Sequence, residues 1–229
     1  TTIAVAESFK VCQSFLGAKL HDAKDPGADL SAMLQQVVGS VFSLMREFEP
    51  VWTARQSSEA VDLFGFPFDV GLDPIEVNLE RLLASFRQGC ADLADIWSMA
   101  LRPDTLKAVQ NLASGLSSAS SSFHIEDSLW AQVIYDFACS HRRMPLERGH
   151  LVRSLTPLYL ARVASFVIET KEMFAAQVEE RIEQLCLTFE DLKPYLAACW
   201  RSEGSAGVRE GETSQSPAPS IRQSMDMEV

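Results

Sequence analysis

The chain has 229 residues, a hydrophobic content of 47% and a formal net charge of −11 at neutral pH. That length suffices for one large domain or two small ones, each able to bury a core without staples, and a mean hydropathy near zero is ordinary for a soluble globular protein. The acidic balance works against binding to nucleic acid or to anionic lipid surfaces, because both repel negative charge over long range.

The first residues, TTIAVAESFK, have neither the basic start nor the long apolar run of a signal peptide. No initiator Met is present, and the stretch reads as starting in mid-structure. Residues 9–21, FKVCQSFLGAKLH, are the one convincing strand, with Phe9, Val11 and Phe15 on one face and Cys12, Leu16, Ala18 and Leu20 on the other. Gly17 marks a bulge or a close backbone approach. A lone strand is not stable, so its partners are expected from residues beyond this chain or from another chain. His21, Asp22, Lys24 and Asp25 follow the strand, and Asp25-Pro26-Gly27 is turn chemistry. Asp29 is placed to cap the next helix.

From Leu30 the period becomes helical. Leu30, Met33, Leu34, Val37, Val38, Val41, Phe42, Met45 and Phe48 predict one long amphipathic helix ending near Pro50. Residues 56–72 are irregular, and the alternation of Phe64, Phe66 and Phe68 predicts a short extended segment tucked against helices. Asp73-Pro74 predicts the start of a second long helix reaching Trp97, Pro103-Asp104 a third through Leu112, and Glu126–His141 a fourth, after a Ser-rich connection. A fifth pattern begins near Leu146, is interrupted at Pro157 and continues to about Cys186; a last one ends at Trp200. No apolar run reaches the length of a membrane span. Residues 203–229 are polar, acidic and rich in Gly, Ser and Pro, and are expected to remain a disordered tail. The fold class expected is therefore mostly α, a helical region following the last strand of an incomplete α/β core.

Cys12, Cys90, Cys139, Cys186 and Cys199 are widely spaced and odd in number, which suggests neither a zinc knuckle nor a disulfide framework. Reduced cysteines in a cytoplasmic protein are expected, with Cys90, Cys139 and Cys186 buried on helix faces. Trp97, Trp130, Tyr135, Tyr159 and Trp200 are read as helix-packing aromatics. His141, Arg142 and Arg143 suit a helix C-terminus, and Arg148, His150, Arg153 and Arg162 extend the basic character without forming one stripe; a small anion site or a partner surface is the alternative use. The chain contains no GxSxG, P-loop, HExxH or GxGxxG pattern. A strand end is where α/β folds hold ligands, and a neutral imidazole there is a good ligand for a divalent ion. His21 is thus a candidate metal ligand and Lys24 a candidate phosphate contact, against the plainer reading of a solvated loop.

The stretch VCQSFLGAKLHDAKDP resembles the carboxyl-terminal portion of bacterial nucleotide-sugar glycosyltransferases with a GT-A core, nearest to the mannosylglycerate synthase and glucosylglycerate synthase group. LFGFPFDVGLDPIEVNLERLLASF and LVRSLTPLYLARVASFVIET look like the accessory helical region of that group, so the resemblance extends over roughly residues 1–200. It implies that residues 1–28 hold the last core strand and the metal and nucleotide loop, that 29–202 form the helical carboxyl-terminal region and that 203–229 are tail. It also implies His21 as ligand to Mn²⁺ or Mg²⁺, Lys24 as a diphosphate contact, Asp22 behind the ligand, and a nucleotide-sugar donor with a small acceptor such as glycerate. The acidic DxD metal motif and the nucleotide-binding half of such enzymes are not in this sequence. The chain is therefore expected to be a piece of a longer enzyme, inactive alone, with self-association through an open sheet edge a further expectation. A rival of another class is a non-enzymatic helical interaction module.

Overall fold

The computed structural model describes residues 1–15, 26–66, 76–116, 122–144 and 148–204, of which the side chains of 26–30 and 203–204 are left aside. Its elements run α1 (Thr2–Ala6), β1 (Gln13–Ser14), α2 (Pro26–Glu47), α3 (Glu49–Ala54), β2 (Leu63–Phe64), α4 (Leu79–Asp92), α5 (Ala94–Ala100), α6 (Pro103–Ser114), α7 (Asp127–Arg143), α8 (Arg148–Ser154), α9 (Thr156–Thr170), α10 (Ala175–Asp191) and α11 (Lys193–Gly204). The chain is mostly α, with one small unclosed parallel sheet.

Helix α7 is the axis of the body. Trp130, Val133, Phe137 and Ala138 are buried along it, and α2, α5, α6, α8, α10 and α11 all pack against it. Among the described residues the most extensive helix pairing is α4 against α9. It depends on Gly89, where a Cβ would lie 2.5 Å from the Pro157 Cβ. Proline breaks the fifth predicted pattern into α8 and α9: Pro157 lies in the first turn of α9, where its missing N–H costs no hydrogen bond. Pro50 does the same for α3, a short helix that follows α2, which ends at Glu47 close to where the sequence reading ends its long helix. The 148–170 segment is long and apolar enough to cross a membrane by length and composition, which the sequence reading did not expect; here 56% of its apolar 18-residue window lies buried in the helical body.

Three expectations are corrected. The strand over 9–21 is, among the described residues, only Gln13–Ser14, and its partner is β2 of this same chain rather than an outside strand. The pairing is parallel, Gln13 with Leu63 and Ser14 with Phe64, so α2 and α3 form the crossover that a parallel pair requires. The Phe64 segment is extended as expected but is not tucked against helices: Phe64 is 55% and Phe66 86% exposed, while Phe68 lies outside the described residues. The helix expected from Asp73-Pro74 begins at Leu79, because the Asn78 side chain accepts from the Arg81 N–H at 2.9 Å and caps it there; Asp73 and Pro74 lie outside the described residues.

Cysteine burial follows the same pattern of partial agreement. Cys139 and Cys199 are buried, Cys90 is half-buried, and Cys186 is exposed because α10 buries no residue fully. Trp97, Trp130 and Trp200 are core residues, as expected.

Candidate functional site

His21 and Lys24, with Asp22 and Asp25 between and beside them, lie outside the described residues. What the structure gives is the frame on either side of them: β1 before and α2 after. In a parallel pair the C-terminal ends of both strands share one edge. At that edge Phe15 donates its N–H to the Phe64 carbonyl at 3.0 Å. Gly65 follows in the left-handed region at φ 88°, and a Cβ there would lie 3.1 Å from the Phe15 carbonyl oxygen. A side chain would therefore both strain the backbone and crowd the edge from which the His21 stretch departs. Among the described residues no group of three or more His, Cys, Asp or Glu is placed to hold a metal ion.

The basic residues singled out in the sequence go to separate tasks. Arg142 donates to the Trp200 carbonyl at 2.9 Å, pairs with Glu49 at 3.0 Å and lies 4.7 Å over the Trp200 ring. Trp52 meets the same ring edge-on. Arg143 donates to the Met99 carbonyl and to Ser140 Oγ. Arg162, buried on α9, donates to the Ile125 carbonyl at 2.8 Å and to Asp127 at 2.7 Å. Arg181 of α10 joins the same Asp127 oxygen and also holds Glu169. Burial pushes the Asp127 carboxyl up, but the hydrogen bonds and charges of Arg181 and Arg162 outweigh it and hold the group below its usual range. The cluster ties α7, α9 and α10 together. His141 is buried against Phe42, and Arg148 donates to its carbonyl.

A second polar centre escaped the sequence reading. Asp136, 1% exposed, accepts from the Tyr195 hydroxyl at 2.6 Å and from the Arg102 backbone N–H at 2.9 Å. Arg102 lies 5.0 Å over the Tyr195 ring. Desolvation raises the Asp136 carboxyl, and its hydrogen bonds offset part of the rise. A cavity of about 220 Å³ adjoins the group, lined by Arg102, Asp136, Ser140, Arg143 and Cys199 among others. Every polar atom named in this network is engaged within the protein, so its evident task is to lock the starts of α6 and α11 onto α7. The signal available in the sequence was a lone acid between Val133 and Phe137 on an otherwise apolar helix face.

No protein-family model, curated protein or solved structure matches this chain.

Proposed function

We propose that the chain is the carboxyl-terminal, largely helical part of a metal-dependent glycosyltransferase that moves a sugar from a nucleotide-diphosphate donor to a small acceptor of the glycerate type. The observation that supports the reading is that β1 lies at the start of the VCQSFLGAKLHDAKDP stretch, in a strand pair that is parallel and joined by a helical crossover. Parallel pairs with helical crossovers belong to α/β sheets, and such sheets bind ligands at the C-terminal ends of their strands. In this reading His21 is a ligand to Mn²⁺ or Mg²⁺ and Lys24 contacts the diphosphate as a point charge. When bound, the divalent ion neutralises charge developing on the leaving diphosphate. One imidazole alone holds such an ion weakly, and hard oxygen ligands are expected from the amino-terminal half.

A second reading is favoured by a separate observation. Ile3, Phe9, Met33, Val37, Leu63, Phe64 and Phe66 are all more than 45% exposed, an apolar load concentrated in the first part of the chain. Exposure of that kind suits a helical interaction module as well as a piece of an enzyme.

Manganese binding separates the two. It is measured with and without a nucleoside diphosphate on this chain, on the longer chain encoded by its reading frame, and on both carrying His21→Ala. Coupled binding of metal and nucleotide by the longer chain, lost in the variant, supports sugar transfer. Binding indifferent to His21, or a reading frame without alternating strands and a DxD motif upstream, leaves the interaction module.

A further inference from the structure

The two buried cysteines, Cys139 on α7 and Cys199 on α11, belong to one helix contact. Helices α7 and α11 pack against each other, and two hydrogen bonds fix their register. Near the start of α11 the Tyr195 hydroxyl donates to Asp136 at 2.6 Å; further on, the Trp200 carbonyl accepts from Arg142 at 2.9 Å. Residue numbers rise together along the contact, so the two helices run parallel. Cys139 stands midway between Asp136 and Arg142, three residues from each, on the i, i+3 row that makes both contacts. Cys199 stands one turn beyond Tyr195 and next to Trp200. The two side chains therefore lie between the same anchors, on facing sides, within about one turn of each other. Their burial agrees: Cys139 is 0% and Cys199 6% exposed.

A small reagent has a way in. Cys199 lines the cavity of about 220 Å³ together with Asp136, Ser140 and Arg143, which share the neighbouring face of α7. A water molecule takes about 30 Å³ of liquid volume, so the cavity has room for a molecule of peroxide size. Both residues are thiols in the structure.

We propose that Cys139 and Cys199 are a redox pair, oxidised to a disulfide by hydrogen peroxide that reaches Cys199 through this cavity. The Cys199 sulfur attacks one peroxide oxygen and the O–O bond breaks. The departing hydroxide takes the thiol proton and leaves as water, and Cys199 becomes a sulfenic acid. The Cys139 sulfur then attacks Cys199 Sγ. The S–S bond forms, the S–O bond breaks, and the released hydroxide takes the Cys139 proton as a second water. Two thiols lose two electrons and one peroxide gains them. The product ties α11 to α7 covalently beside the Trp200 ring, and a dithiol reverses it by exchange. The pair stands independently of the sugar-transfer reading.

The test is oxidation of the full chain with equimolar hydrogen peroxide, read by intact mass, by dimedone trapping of sulfenic acid and by peptide mapping without reductant. Mapping uses the Cys186→Ser chain, because exposed Cys186 otherwise shares a tryptic peptide with Cys199. A Cys139–Cys199 link that dithiothreitol reverses is expected. Cys139→Ala is expected to raise the trapped sulfenic acid on Cys199 about tenfold, and Cys199→Ala to slow oxidation of Cys139 by about the same factor. The link is read in a chain that keeps both thiols, so the test stays decisive even if an alanine variant misfolds. No Cys139–Cys199 link in the folded protein, or a link that forms only after unfolding in urea, overturns the proposal.

Discussion

At the scale of the residue, His141 shows how burial converts a titratable group into a pH dependence. Desolvation, and then the charges of Arg148 and Arg46, lower it from 6.5 to about 4. A base whose folded value is depressed contributes stability that is present above its unfolded value and is lost as pH falls through the folded one. The window is therefore pH 6.5 down to about 4, and the full loss is about 3 kcal/mol at most. Asp136 has the opposite sign: its raised carboxyl favours the folded state on the acid side, and that contribution fades as pH rises through its folded value. The two are separated by comparing urea midpoints of the parent and of His141→Gln across pH 7 to 4. The parent is expected to lose stability more steeply; equal slopes would mean that folding does not depress His141.

At the scale of the element, α4 and α9 illustrate close packing set by one missing side chain. Gly89→Ala places a Cβ within 2.5 Å of the Pro157 Cβ and 2.7 Å of its Cγ. The pyrrolidine ring has little freedom to move aside, so the helices must separate or tilt. Ala is the better helix former by about 1 kcal/mol, but overpacking costs about 1–3 kcal/mol. A net loss is expected in chemical denaturation, with Gly149→Ala in α8, where a Cβ meets nothing within 4 Å, as the reference for helix propensity without a clash. A variant as stable as the parent would show that α4 and α9 are less tightly apposed. Helix α2 teaches a different lesson. Its apolar periodicity correctly announced a helix, but its residues divide: Leu34 and Phe42 are buried, whereas Met33, Val37 and Val41, spaced one turn apart, are exposed. Periodicity reports that a face is apolar, not which neighbour covers it.

At the scale of the whole molecule, that outer stripe adjoins an apolar groove of about 320 Å³ lined by Val5, Val41, Met45, Phe48 and Trp52 among others. Uncovered apolar area of this kind promotes association. Val37→Lys is expected to change unfolding stability by less than about 0.5 kcal/mol, as exposed substitutions do, while reducing concentration-dependent self-association in light scattering. An unchanged association state would show that this stripe drives none of it; a large loss of stability would show that Val37 is covered.

Much of the helical plan was legible locally. Pro103, Pro157 and the 3.6-residue periods mark α6, α7 and α9 because backbone sterics and a buried stripe act within a few turns of chain. The Asn78 cap was missed because Asp73-Pro74 carries an equally good local signal, and nothing local ranks the two. The chemistry of the candidate site was legible only as residue types, His21 and Lys24 after a strand. The partners of buried polar groups were not legible at all. Asp136 meets Tyr195 and Arg102 across three helices, and Arg162 and Arg181 share one Asp127 oxygen from two others. The sequence by itself determined where helices form and how acidic the chain is, since both depend on local sterics and composition. Only the tertiary structure decided that β1 finds its partner in Leu63–Phe64 of the same chain, and which apolar faces are exposed among the described residues. Pairing of that kind is settled between segments far apart in the chain, where loop closure, packing and desolvation outweigh local preference.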